Sequence, residues 1–382
     1  VTLALVAAPG CFVPAKASAM PPPTTLTPTA DATVTAIEDG LWSSPATWGG
    51  NLPAAGDRVY IPADRSVQYD VSSDALLHWI RVDGELKWRT DTGTELFVDT
   101  IIVAPTGTLT VGDAAHPIEA GILARIVFPS GQPIDTTWDN LLRSRGIVSM
   151  GTFEVHGQPR QAFAEVSGDL DAGETTITLR NPVPANWRVG EEIVLTGTSF
   201  DLGDDNFSHD DLRVIQAISG NAITVAPLDW DHHRPADHDV PLYAAHLTRN
   251  IRFETRDHPS APIQQRAHLM FRSADTHVAH AAFIGLGRTN KDLLVTDPAL
   301  DGSNNLIPGT GDNARGRYPL HFHLVGTAHA VPESSIEGCV IRHSPGWGVA
   351  VHGSKAVVRD CVSYDVLGAH YVTEDGNELA RF

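Results

Sequence analysis

The chain has 382 residues, with 27 Lys plus Arg against 46 Asp plus Glu and a formal net charge of −19. That charge argues against unspecific attraction to nucleic acid or to anionic membranes, so any polyanionic ligand needs a local basic groove. Thirty-three glycines and 26 prolines punctuate short alternating apolar runs at 101–103, 108–111 and 177–179, a pattern that predicts an all-β protein with little helix.

In chain order, VTLALVAA at residues 1–8 reads as the apolar part of an export signal, and AKASAM offers a small-residue cleavage site ending at Ala19. A secreted or cell-envelope protein is therefore expected. Attachment as a lipoprotein through Cys11 fits less well, because the residues before the cysteine do not match that signal. No later segment has the roughly 20 apolar residues of a membrane span. Residues 20–36 form a Pro/Thr linker with nothing to bury. Residues 37–165 alternate strands of four to six residues with turns at VDGE and PTGT, as in a meander or a stacked sheet. Trp42 and Trp48 are expected to pin a loop-like stretch to the core. Residues 166–245 form a second β-rich unit, with a hairpin turn at Ser219-Gly220-Asn221.

Three polar stretches invite chemical readings. DLGDDNFSHDD, residues 201–211, carries hard oxygen ligands for Ca²⁺ without the order of a helix-loop-helix calcium loop, and a solvated acidic loop is the simpler account. DHHRPADHD, residues 231–239, offers His232, His233 and His238, again more simply solvated. GLGRTNK, residues 285–291, lacks the spacing of a phosphate loop and reads as a basic turn near a ligand groove. His156 fits core and groove equally.

From residue 246 the chain shows a period. IEGCVIRHSPGWGVAVHGSK and VVRDCVSYDVLGAHYVTEDG superpose with Cys339 on Cys361 and Gly346 on Gly368, the repeat of one coil of a right-handed parallel β-helix. LTRNIRFE and HVAHAAFIGLG follow suit. Equivalent positions stack on adjacent coils, so the cysteines form an interior ladder rather than a disulfide. Superposing Gly326 on Gly353 sets RYPLHFHLVG in the same frame, with His323 on Ala350, His321 on Gly348 and Val325 on His352. Residues two apart on a strand share a face. Leu320, Phe322 and Leu324 then point inward, and His321, His323, His352, His370 and Glu374 project outward over three coils.

Two imidazoles at i and i+2 can share a metal, with a third nitrogen or a carboxylate from the next coil. The candidate ligands are His321, His323 and His370, and the candidate ion is Zn²⁺ or Ca²⁺. The same histidines can serve as acid and base, beside Glu374 and Asp375. Arg315 and Arg317 are placed to hold a uronate carboxylate, and His352, His370 and Trp347 complete the expected binding surface.

WSSPATWGGNLPAAGDRVYIP, residues 42–62, together with GTFEVHGQPR, resembles the G-eight domain of secreted and cell-surface proteins. GRYPLHFH, HGS and YDVLGAHYVTEDG resemble the β-helix segment that follows that domain in the hyaluronan-binding and hyaluronidase branch of the family. The resemblance spans most of residues 37–382. It implies a pectin-lyase-like parallel β-helix that acts on hyaluronan or a related glycan through a groove containing Arg317, His321, His323, His352, His370, Glu374 and Asp375. Because the sequence stops just after TEDGNE, where more coils or a cap are expected, the β-helix reads as C-terminally incomplete. Two functions are open at this point. One is cleavage of an acidic polysaccharide, by hydrolysis or by β-elimination; the other is a non-catalytic glycan-binding or adhesion module. The oligomeric state is not legible.

Overall fold

The computed structural model describes residues 21–199, 208–236 and 240–382. The export signal, most of the 201–211 loop and His238 lie outside the described residues. Within them the chain is nearly all β, with four short 3-10 turns as its only helical segments.

Three parallel sheets wind as a β-helix. The first sheet stacks, among others, Arg58–Ile61, Leu77–Val82, the second half of Thr94–Val103, Gly146–Ser149, His268–Phe271, Leu320–His323, Val349–His352 and Tyr371–Thr373. The second has nine strands, from Gly40–Leu41 to Leu379–Arg381. The third runs from the first half of Thr94–Val103 through Ile251–Thr255 to Val362–Val366. From Thr94–Val103 onward each coil contributes to all three sheets, the earlier coils only to the first two, and alternation puts every second side chain inside. Val59, Ile80, Ile101, Ile147, Leu269, Leu320 and Val349 form one interior column, all essentially unexposed. The ladders run without interruption from the glycine-rich stretch into the later coils, so VDGE and PTGT are corners between parallel sheets and not hairpin turns.

The glycines at those corners have a packing reason. A Cβ on Gly84, Gly107 or Gly151 would lie 2.1 Å from a carbonyl oxygen of the preceding coil, that of Pro62, Val82 and Gly107 respectively. Stacked corners leave no room for a side chain there. Gly107→Ala is expected to destabilise by about 1–3 kcal/mol through forced backbone shifts, read as a lower denaturant midpoint at unchanged slope.

Trp42 and Trp48 are buried, their rings 4.9 Å apart, with Trp42 also 5.0 Å from Tyr69. This aromatic group fills the first coils. Cys339 and Cys361 stack on successive coils with free thiols, and the Cys339 N–H points at Cys361 Sγ at 3.4 Å.

Between Thr152–His156 of the second sheet and Ile251–Thr255 of the third, the chain leaves the helix. The excursion contains a four-stranded and a three-stranded antiparallel sheet around its own core of Ile177, Trp187, Ile193, Leu195, Ile215 and Ile223. Its neck is the antiparallel pair Phe163–Glu165 and Tyr243–His246. The turn at Gly220 joins Ala217–Ser219 to Ala222–Thr224, as the sequence indicates. Glu191 accepts from Arg160 and His246 at 2.7 and 2.9 Å, and Glu192 meets Arg342 of the helix at 2.9 Å.

The register near the histidines differs by two residues from that drawn from the glycines. His321 pairs with Ala350 and His323 with His352; Ala350 then pairs with Val372. Gly326 N–H does bond Gly353 O, at 2.9 Å, but Leu324 turns left-handed at φ 54° and lets two extra residues in before that glycine. Leu324 accordingly lies 56% exposed instead of pointing inward. A slip of two keeps the facing of every strand residue, so both histidines still project outward.

Candidate functional site

Leu320 and Phe322 pack inside with no exposure, which forces His321 and His323 onto the opposite face of the first sheet. Val349 and Val351 do the same for His352. Ligand atoms of His321, His323 and His352 all lie within 4.8 Å of one another. The next coil adds Glu374, just after Tyr371–Thr373, with its Oε2 3.7 Å from both His321 Nε2 and His352 Nδ1. Asp375 Oδ2 is 3.0 Å from His352 Nε2.

His321 points away from the helix interior, yet it is 1% exposed. The segment between Ala281–Ile284 and Leu320–His323 roofs it: Gly316 O accepts from His321 Nδ1 at 2.8 Å, and the Tyr318 ring lies 5.3 Å away. That bond fixes the tautomer, leaving the lone pair on Nε2. His321 Nε2 and Glu374 Oε2 are both buried without a hydrogen-bond partner. His323 and His352 approach through their Nδ1 atoms at 3.1 Å, sharing one proton at most in that contact.

Burial favours the neutral form of the His321 and His323 rings. Burial, reinforced by the charge of His323, holds His321 well below the ordinary histidine value. Burial, then the charges of His352 and Arg272, brings His323 down to about 4. Burial raises the Glu374 carboxyl, opposed by His352 and Lys291.

Several expected site residues sit elsewhere. Arg317 is buried, and its Nε and both terminal nitrogens donate to the carbonyls of Leu142, Arg315 and Leu141, so it braces the roof instead of facing the cluster as a free bidentate fork. His370 is exposed and bonds Ser363 Oγ at 2.8 Å, toward the third sheet; His352 takes the place expected for it in the cluster. Arg315 is paired with Asp297 at 2.7 Å. Trp347 lies at the rim, 4.9 Å from Tyr318. His156 pairs with Glu154 on the second sheet, and buried His232 is held by Asp211 and Thr196 O. His233 pairs with Asp171 on the surface of the excursion.

Two contributors, Tyr318 and Glu378, escaped sequence reasoning, and a third, Lys291, lies in the basic turn that the sequence placed near a ligand groove. Lys291, at the end of the basic turn, lies 3.4 Å from the Trp347 ring centroid and donates to Tyr318 Oη at 3.1 Å. Tyr318 itself, inside RYPLHFH, closes the wall. Glu378 accepts N–H groups from Gly353, Asp375 and Gly376 at 3.0, 2.8 and 2.7 Å, which fixes the turn carrying Glu374 and Asp375. The only signal for it was an acidic residue two positions after Gly376.

Burial opposes ionisation of Glu378, but these backbone donors prevail and lower its carboxyl to about 2. A depressed folded value means the contribution is complete above the ordinary carboxylate range and disappears as pH falls from about 4.3 toward 2. Glu378→Gln is expected to abolish that part of the acid dependence, checked by melting curves between pH 2 and 6.

The G8 domain profile matches residues 47–167, and the CEMIP beta-helix profile matches residues 307–381. The chain thus carries a segment similar to the G8 domain and, later, one similar to the CEMIP beta-helix. Protein rliB of Dictyostelium discoideum is 27% identical over 88% of this chain and 28% of its own length. The mouse cell migration-inducing and hyaluronan-binding protein is 27% identical over 66% of this chain and 18% of its own. The chain thus spans less than a third of either relative. The Pseudomonas phage phi297 tailspike superposes at TM-score 0.23 with 11% identity, over 76% of this chain and 39% of the tailspike, too loosely to carry a functional argument. The β-helix match takes in His321, His323, His352 and Glu374. Among the described residues no helix is long and apolar enough to cross a membrane.

Proposed function

We propose that this is a secreted protein that binds and depolymerises an acidic polysaccharide such as hyaluronan, in the outward groove over His321, His323, His352 and Glu374. One observation carries the reading: His321 Nε2 and Glu374 Oε2 are buried, unpartnered and 3.7 Å apart. Native interiors rarely leave two such atoms facing each other unless an ion, a water or a substrate group joins them. The printed name of the mouse relative, a hyaluronan-binding protein, supports the substrate class.

The donor set fits a divalent metal. Three imidazoles and one carboxylate suit zinc better than calcium, which takes six to eight oxygens. His321, His323 and His352 would hold the ion, with Glu374 as the fourth donor. Bound there, it would stabilise negative charge on a substrate oxygen or acidify a water. His321 is oriented by Gly316 O, Asp375 holds His352 through Nε2, and the roof from Gly316 to Tyr318 excludes solvent from one side. Hydrolysis with two flanking carboxyl groups would need a second carboxylate across the scissile bond. Asp375 is engaged by His352, so the cluster favours β-elimination or metal-assisted cleavage.

The test is incubation with hyaluronan, chondroitin and pectate, following polymer size, unsaturated ends and metal content. Loss of size with unsaturated ends, abolished by a chelator and restored by zinc, is the expected result. Binding without loss of size under every metal condition would overturn cleavage and leave a binding module.

A further inference from the structure

Two cations flank the histidine cluster without a carboxylate of their own. Arg272 follows His268–Phe271, and continuing the register Met270↔His321 and Phe271↔Phe322 puts it beside His323. It is exposed, and among the described residues its guanidinium makes no hydrogen bond or ion pair. In contrast, Arg145 is paired with Asp99, and Arg288 and Arg317 are spent on carbonyls. Lys291 stands at the other side, where Val349–His352 begins. Its ammonium is held over Trp347 and on Tyr318 Oη, contacts that leave it charged and fixed in direction. It is half-buried, and burial lowers its pKa.

Arg272, His323, His352 and Glu374 occupy successive coils in one column. Coils are about 4.8 Å apart, so the column is roughly 14 Å long, too long for one sugar and suited to an oligosaccharide lying along the helix axis. In a protein of net charge −19, neutral glycans need no such cations, and an acidic chain is repelled except where they stand.

We infer that Arg272 and Lys291 are carboxylate anchors that bind two acidic sugars of one chain on either side of the histidine cluster, making the groove selective for uronate-bearing polymers. The inference rests on the proposed function, since it assigns specificity to the same groove. Each anchor offers a charge-assisted hydrogen bond to a carboxylate and nothing comparable to a hydroxymethyl group.

The experiment compares binding of hyaluronan octasaccharide with that of its carboxyl-reduced counterpart, in the intact protein and in Arg272→Gln and Lys291→Met. The intact protein is expected to prefer the acidic octasaccharide at least about tenfold, and each variant to lose about tenfold for it while holding the reduced form unchanged. Arg272→Lys should recover part of the loss. Equal affinity of the intact protein for both ligands, or equal loss for both in the variants, overturns the anchors. If the acidic octasaccharide binds and His323→Ala abolishes cleavage while both anchor variants bind normally, the inference falls and the proposed function stands. Absence of binding to any acidic polymer removes both.

Discussion

His323→Ala and His352→Ala are each expected to lower polymer cleavage about 10²- to 10⁴-fold, the range for loss of a positioned acid, base or ligand group. Both side chains are partly exposed and bond chiefly to each other and to the Glu374–Asp375 turn, so the melting temperature should move little. His321→Ala should be as damaging to activity and worse for stability, because it strands the Gly316 carbonyl under the roof and empties a buried volume. Metal content measured on the same variants separates two accounts. Joint loss of metal and activity identifies the imidazoles as ligands; loss of activity at full metal content assigns them to proton transfer. Retention of both in all three variants would sink the assignment of the groove.

The largest effect on stability is expected in the middle of the helix. Phe153, Phe253, Phe271, Phe283 and Phe322 meet there, with Phe271 5.0 Å from Phe153 and 5.3 Å from Phe322, and Phe253 stacked on Phe283 at 5.2 Å. All five are unexposed. Phe271→Ala is expected to cost about 3–5 kcal/mol, combining lost transfer energy with a cavity that rigid ladders on three sides cannot collapse. Denaturant unfolding reads it directly. Phe271→Leu, which keeps most of the volume, should cost well under half as much. The same change lies beneath the strand that precedes Arg272, so it also tests how far core packing sets the groove.

The coil and its facing were legible because they rest on periods. The 22-residue spacing of Cys339 and Cys361 is a true ladder step, with Val340 paired to Val362, and the two-residue period put His321 and His323 outside whatever the register. The register itself was not legible, since it turns on the left-handed Leu324, and leucine gives no warning of that conformation. Arg317 was misjudged for a different reason. Its partners are carbonyls of Leu141 and Leu142, far away in sequence and without side-chain identity to read. His370 lies one residue before its strand, at a corner where alternation no longer dictates direction. The basic turn at 285–291 was legible as lying near a groove, but the contacts of Lys291 with Trp347 and Tyr318 depend on a 35-residue connection that folds back over the first sheet, which no local pattern carries.

The excursion that leaves the helix after His156 and returns at Ile251 bears on the order in which this chain can fold. On later coils the same corner takes a single residue, His280, or the pair Gly338 and Cys339. Closing it across the whole excursion as a slack loop would cost entropy before any ladder contact compensates. With its own core and a two-stranded neck, the excursion can instead assemble first and present its two ends already at corner spacing. A long sequence separation then becomes, kinetically, a short one, and weakening the neck should slow winding of the helix far more than it lowers the final stability.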